Sequence, residues 1–152
     1  MAVFRIVNMG EDILREKAKC VAEITPNILK LLDNMADTLR EAQGVGLAAP
    51  QIGVLKRVAI VHVGEDFIEL INPEILEVKG EVRGVEGCLS VPGVQGEVVR
   101  GRYIRVRALD RTGAVQVYET EGLLARVFQH EIDHLDGVLF VDKASRLEKV
   151  ET

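Results

Sequence analysis

The sequence predicts an α+β fold with antiparallel β-structure between two helices. Three observations support this: an amphipathic helical segment near the N-terminus, a long middle region of short β-like runs, and a second amphipathic helical segment near the C-terminus. Helix, many strands and helix in this order is typical of α+β proteins and not of alternating βαβ units. The chain has no internal repeat or linker-like stretch, so we expect a single domain over residues 1–152.

The first helix is predicted over residues 25–42. Thr25 is a good N-cap, Pro26 suits the first helical position, and Gly44 follows the end. Apolar residues recur at helical spacing and should face the core: Ile28, Leu31, Leu32, Met35 and Leu39. The segment 44–53 that follows is rich in Gly and contains Pro, so we expect no regular element there.

The middle of the chain contains short β-like runs. They cover residues 57–63, 67–71, 75–78, 82–85, 98–99, 104–109 and 115–119. Turn residues separate them, as in antiparallel hairpins and meanders: Asn72-Pro73, Lys79-Gly80 and the stretch 110–113.

Composition and charge exclude several classes of function. The net charge of −5 gives no basic field for phosphates, which argues against nucleic acid as a ligand. The first residues lack the apolar core and cleavage site of a secretory signal, and no apolar run is long enough to span a bilayer. We therefore expect a cytoplasmic protein that binds no membrane. In that reducing compartment Cys20 and Cys88 should not pair.

The second helix is predicted over residues 121–136, with Thr120 as its cap and Gly137 just beyond its end. Residues 130–134 match the pattern H-E-x-x-H. Residues four apart lie on one face of a helix, so the imidazoles of His130 and His134 can reach one metal ion. Glu131 lies beside them, where a general base acting on activated water is expected.

The helical wheel places this motif on the apolar side of the helix. That side carries Leu123, Leu124, Val127, Phe128 and Leu135, and the opposite side carries Arg126, Gln129, Asp133 and Asp136. Two imidazoles and a carboxylate facing a core are unfavourable unless they have partners. A bound metal ion would be such a partner. The alternative interpretation is a buried pair of histidines held by hydrogen bonds.

The third metal ligand is not on this helix. The longer zinc-peptidase pattern would place a histidine at position 140, where this chain has Phe140. Cys88 is the better candidate, because a thiolate together with imidazoles suits Zn²⁺ or Fe²⁺, although most free cysteines are small buried hydrophobes. The other histidine is His62, in a β-like run. Weaker candidates are Asp142, Glu148 and Glu151.

Three segments together closely resemble the signature motifs of the peptide deformylases. Residues 44–51 match G-x-G-x-A-A-x-Q, residues 86–90 match E-G-C-x-S, and residues 129–134 match Q-H-E-x-D-H. The resemblance extends over nearly the whole chain. It implies the family's fold, with antiparallel sheets around a metal-bearing helix. It also implies a metal-dependent amide hydrolase that removes the formyl group from the N-terminal methionine of new polypeptides and releases formate.

Matched by position, the resemblance implies the ligand set Cys88, His130 and His134, with Glu131 as the general base. It implies Fe²⁺ as the metal, one per chain, replaceable by Zn²⁺ or Ni²⁺.

The resemblance also assigns the groups that contact the substrate. The side chain of Gln51 and the backbone N–H of Leu89 would stabilise the oxyanion that forms on the formyl oxygen. The backbones of Val45, Gly46 and Gly87 would pair with the peptide as an added strand.

The implied partners are N-formylmethionyl nascent polypeptides. Many family members continue into a long C-terminal helix that in some docks on the ribosome. Here residues 141–152 leave room for a short helix near 143–149, so we expect at most transient proximity to the ribosome.

Two other functions remain open from the residues alone. A metallo-endopeptidase would share the helix but cleave internal peptide bonds, and an inert metal-binding protein would bind the metal without turnover. An assay of formate release separates all three.

Overall fold

The structure, a computed structural model, describes residues 2–150 and confirms the predicted α+β fold. These residues form the helices α1 Pro26–Ala42, α2 Gly122–Leu135 and α3 Phe140–Lys143. The strands are β1 Gly46–Ala48, β2 Val58–Val63, β3 Asp66–Lys79, β4 Val82–Cys88, β5 Val91–Arg100, β6 Tyr103–Leu109, β7 Val115–Glu121 and β8 Arg146–Lys149. They make an antiparallel five-stranded sheet of order β1-β2-β3-β6-β7 and an antiparallel three-stranded sheet of order β4-β5-β8.

Helix α1 has the predicted bounds and cap. The hydroxyl of Thr25 accepts a hydrogen bond from the backbone N–H of Ile28, and Pro26 opens the first turn. The helix ends at Gln43, which adopts the left-handed conformation one residue before Gly44. Its apolar face packs on β2 and β3 in a cluster with Val58, Ile60 and Ile71.

The predicted turn at Asn72-Pro73 is wrong, because β3 runs through it as one strand. The ladder between β3 and β6 shifts register between Ile71 and Glu74. Asn72 adopts a positive φ of 52°, and its side chain bonds both the N–H and the C=O of Val21. Proline cannot donate to the ladder, so the strand bulges here instead of ending.

Two further local predictions are wrong. The Gly-rich segment is not irregular, since β1 pairs with β2 and residues Ala49–Ile52 form a 3-10 turn. The C-terminal segment predicted as a helix near 143–149 contains β8, which pairs with β5, and the short helix α3 comes before it. An open sheet edge offers unpaired backbone groups, and a strand satisfies them better than an isolated helical turn.

Helix α2 lies between the sheets and carries the H-E-x-x-H motif. It begins at Gly122 with no side-chain cap from Glu121, so the predicted cap Thr120 is wrong. Ala125, Phe128 and Ile132 pack in the apolar cluster beneath the five-stranded sheet. No helix in residues 2–150 combines the length and the apolar composition that crossing a bilayer requires.

Two residues of the polar side of α2 are covered by the second sheet. Arg126 and Gln129 are buried. Arg126 bonds the backbone carbonyls of Val82 and Val98, and Gln129 bonds both backbone groups of Gly101. The strands β4 and β5, with the residue that follows β5, cover this side.

Candidate metal centre

The fold brings one cysteine and two histidines together. His130 and His134 lie one turn apart on α2, and Cys88 lies at the end of β4. Their ligand atoms are all within 4.8 Å of one another, and Sγ of Cys88 is 3.3 Å from Nε2 of His134. Among residues 2–150 this is the group of acidic, histidine and cysteine side chains that could hold a metal ion.

The spacing of Cys88 and His134 fits two donors of a tetrahedral metal. With metal–sulfur and metal–nitrogen bonds of about 2.3 and 2.0 Å, two such donors should lie about 3.5 Å apart. The 3.3 Å between Cys88 and His134 is close to that spacing. Burial and the positive charges of His130 and Arg100 lower the pKa of His134 well below its usual value, so its imidazole is neutral, as a ligand must be.

Acidic groups around His130 favour a cation at this place. Burial opposes protonation of His130, but hydrogen bonds to Cys88 and Glu86 outweigh it and raise the pKa to about 10. The same negatively charged neighbours that stabilise a proton on His130 would also stabilise a divalent ion bound in its place. Within the described chain, the buried Oε1 of Glu131 has no hydrogen-bond partner. This oxygen can therefore accept a hydrogen bond from a group bound beside the candidate ligands.

Glu86 orients His130, one of the candidate metal ligands. Nδ1 of His130 is 2.9 Å from Oε1 of Glu86, which leaves Nε2 directed at Cys88. Arg100 donates two hydrogen bonds of 2.8 Å to the same carboxylate, and it also bonds Asp133. Burial raises the pKa of Glu86, but the bonds from Arg100 and His130 outweigh it and hold the pKa far below its usual range. Glu86 is therefore a fixed anion.

Sequence reasoning missed this ion network. Glu86 was identified only as part of the matched segment 86–90, and Arg100 by no motif. A glutamate two residues before a candidate cysteine ligand was the available signal, since ligand histidines commonly bond a carboxylate through their other nitrogen.

Glu131 lies against β1. It is buried, and burial together with the charge of Glu86 raises its pKa to about 7, although His130 and Arg100 oppose this. A Cβ at Gly46 would lie 2.5 Å from Oε2 of Glu131. Glycine at position 46 thus makes room for the carboxylate, which the turn-forming role of glycine would not have predicted.

The side chain of Gln51 is held in one orientation. Its Oε1 accepts from the N–H of Ala48 at 2.9 Å, and its Nε2 donates to Oγ of Ser90 at 3.0 Å. Nε2 also lies 3.7 Å from Sγ of Cys88, so the amide N–H side faces the cysteine.

The candidate site opens into one pocket of about 330 Å³. Its walls are formed by residues 44–46, Gln51, residues 85–89, Leu123, Arg126, Val127, His130 and Glu131. All the site residues proposed from the sequence contribute to it except His134, which is buried.

The other candidate ligands lie elsewhere. His62 is exposed, and its ring contacts Phe67. Asp142 pairs with Arg15, and Glu148 is exposed on β8. Cys20 is exposed as well, and Glu151 lies outside the described residues.

Phe140, found where a zinc peptidase would have a third histidine, stacks on His130 with ring centroids 6.1 Å apart. Phe140 is therefore a packing partner of that candidate ligand.

Comparison with known proteins identifies the family. The model of the polypeptide deformylase family matches residues 3–150. The peptide deformylase of Carboxydothermus hydrogenoformans is 63% identical over 147 residues, which are 97% of each chain. The crystal structure of the peptide deformylase from Thermotoga maritima superposes with a TM-score of 0.92 at 41% identity, over 95% of this chain and 99% of that one. The structure of the Ehrlichia chaffeensis enzyme in complex with actinonin gives 0.93 at 38% identity, over 96% and 91%. The resemblance found in the sequence is confirmed, and the chain belongs to the polypeptide deformylase family.

Proposed function

We propose that this chain removes the formyl group from N-formylmethionyl polypeptides through the pocket at Cys88, His130 and His134. The observation that carries the proposal is the convergence of one thiolate and two imidazoles beside a buried carboxylate, at the base of a pocket in a deformylase fold. The products are formate and a free N-terminal amine.

Cys88, His130 and His134 would hold one divalent ion. An ion bound there would activate a water molecule and polarise the formyl carbonyl. We propose Fe²⁺ on the family resemblance, with Zn²⁺ or Ni²⁺ able to replace it, since a set of one sulfur and two nitrogens suits each by softness.

Glu131 is the proposed general base. Its carboxylate would take a proton from the attacking water and then deliver it to the nitrogen of the leaving amine. A pKa of about 7 supports this role, because a base works best when its pKa is near the operating pH. Gly46 leaves the carboxylate the space it needs.

Gln51 and Leu89 are the proposed oxyanion donors. Because the N–H of Ala48 occupies Oε1 of Gln51, its Nε2 is the group directed at the site. Leu89 directly follows the ligand Cys88 and also lines the pocket, so its backbone N–H is the second donor we assign.

The peptide would bind as an added strand between the sheets. β1 and β4 are edge strands of the two sheets, and the pocket opens between them. Val45 and Gly46 on one side and Gly87 on the other would supply the backbone partners. The methionine side chain would enter the pocket beside Leu123 and Val127.

We further propose that residues 1–152 act as a single catalytic domain in the cytoplasm. Its partners there would be nascent formylated chains, met in transient proximity to the ribosome.

The first test is formate release from a formyl-Met tripeptide, with the acetyl-Met tripeptide and casein as controls. The added methyl should clash in a pocket shaped for a formyl hydrogen, at about 1–3 kcal/mol. That predicts roughly 5- to 150-fold slower acetyl hydrolysis, before the lower reactivity of the acetyl carbonyl is counted. Equal rates for both acyl groups would contradict the proposal, and cleavage of casein would favour an endopeptidase.

The second test concerns the metal. Protein stripped of metal under anaerobic conditions is reloaded with Fe²⁺ or Zn²⁺, and formate release is followed before and after exposure to air. The Fe²⁺ form should start faster and then decay as the iron and Cys88 oxidise, whereas Zn²⁺, which has no redox chemistry, should give a slower and stable enzyme. An iron form that is no faster, or that is stable in air, would remove the Fe²⁺ assignment only.

A further inference from the structure

Arg126 connects the wall of the pocket to the carboxylate that orients His130. The side chain lines the pocket, yet the residue is only 9% exposed. Its guanidinium donates to Oε2 of Glu86 at 2.6 Å and to the backbone carbonyls of Val98 and Val82 at 3.0 and 2.9 Å.

Glu86 receives two kinds of support. Arg100 holds it from β5, through both carboxylate oxygens. Arg126 holds it from α2, one turn before His130 on the same helix. Arg100 therefore fixes Glu86 relative to the sheet, and Arg126 fixes it relative to the ligand's own helix.

Gly84 on β4 provides the space for this guanidinium. A Cβ at position 84 would lie 2.9 Å from Cζ of Arg126 and 3.0 Å from its Nε and Nη2. Because three acceptors already hold the guanidinium, it cannot move aside without losing hydrogen bonds.

We propose that Arg126, accommodated by Gly84, is a positioning residue that sets the orientation of the ligand His130 through Glu86. The inference rests on the proposed metal function. The competing explanation is that Arg126 merely anchors α2 to the three-stranded sheet, which predicts an effect on stability alone.

The test compares Arg126→Met with the wild type, both loaded with Co²⁺, whose visible spectrum reports ligand geometry. Methionine keeps an unbranched side chain at the pocket wall and removes the hydrogen bonds. We expect a shifted Co²⁺ spectrum and a kcat lower by about 10-fold, at the low end for outer partners of a metal-bound histidine. KM for the formyl-Met tripeptide should change little.

Arg83→Met is the matched control. Arg83 lies on the same strand β4 but is exposed and pairs with Glu97. Its spectrum, kcat and KM should match those of the wild type.

Gly84→Ala tests the same link without changing the arginine, and it serves if Arg126→Met fails to fold. It should reproduce the spectral shift and the loss of kcat. In the double variant the two effects should not add, because both act through one contact. Additive effects, or lower thermal stability with an unchanged spectrum and kcat, would overturn the proposal. If the wild type released no formate while both variants still shifted the Co²⁺ spectrum, the proposed function would fail and this inference would stand.

Discussion

Helices α1 and α2 are both amphipathic in sequence, but they are buried in different ways. α1 buries an apolar face of Ile28, Leu32, Met35 and Leu39, and its other face is in contact with solvent. α2 is buried on both sides, with 10 of its 14 residues buried. Helix α1 therefore lies at the surface of the fold, whereas helix α2 lies in its interior.

The buried polar and charged residues of α2 explain the difference. Arg126, His130, Glu131 and His134 are buried, and buried charges are unfavourable unless they are paired. The three-stranded sheet supplies partners through Glu86, and Arg100 completes the network. In this molecule α1 contributes to stability, whereas the buried polar residues of α2 belong to the proposed site. Each prediction below tests that division.

The largest effect is expected from Cys88→Ala. Cys88 is the one proposed ligand outside α2, and two imidazoles alone should hold a divalent ion far more weakly. We predict loss of the metal and of formate release. Metal content by mass spectrometry and the deformylation assay measure both.

Cys20→Ala and His62→Ala are the controls for this prediction, because both residues are exposed and outside the pocket. They should retain metal and activity. Loss of the metal in His62→Ala together with its retention in Cys88→Ala would refute the ligand assignment.

Glu131→Gln should have the next largest effect. The amide preserves the shape of the side chain but cannot accept the proton, and a general base contributes about 10²–10⁴-fold. We predict that kcat falls by about this factor while the protein keeps one equivalent of metal. Near-normal turnover in the metal-loaded variant would show that Glu131 is not the base.

The same contrast between the helices separates what could be predicted from what could not. α1 was predicted correctly because its signals are local: Thr25 caps it, Pro26 opens it, and the apolar period points to a single core. α2 was located by its motif, yet the burial of Arg126 and Gln129 was missed. A helical wheel shows that a side is polar but not whether water or other buried groups provide its hydrogen bonds.

Partners that come from distant strands could not be predicted from spacing. Arg100 lies 14 residues after Glu86 and 30 before His130, and the three meet only because β4 pairs with β5 and α2 packs against them. β8 was missed for a related reason, since its strand form depends on the open edge of β5. Most residues that line the pocket lie in the three family motifs and could be named from the sequence, whereas the contacts among them could not.

Met35→Ala tests the opposite side of the division. Met35 is fully buried in the cluster under α1, and truncation there should lower the free energy of unfolding by about 2–5 kcal/mol. Because α1 contributes no proposed site residue, kcat of the folded, metal-loaded enzyme should be unchanged. Urea denaturation and the deformylation assay at low temperature measure the two quantities. A large loss of kcat in the folded variant would mean that α1 shapes the site and does not only support it.

The smallest effect is expected from Thr25→Ala, at the start of α1. The Thr25 hydroxyl accepts from the N–H of Ile28 over 3.4 Å, which is long for such a bond. Loss of an N-cap lowers stability by about 0.5–2 kcal/mol, and the length of this bond favours the lower end. The N–H of Ile28 also has the carbonyl of Thr25 as a partner at 3.0 Å, so it is not left without an acceptor. For a chain of this size, we expect the melting temperature to fall by about 1–4 °C. Thr25→Ser, which keeps the hydroxyl, should restore most of the loss, and kcat and KM should match the wild type in both variants. A change in KM on removal of this cap would mean that α1 transmits its position to the Gly-rich segment 44–46, where Leu39 already lies close to Gly44.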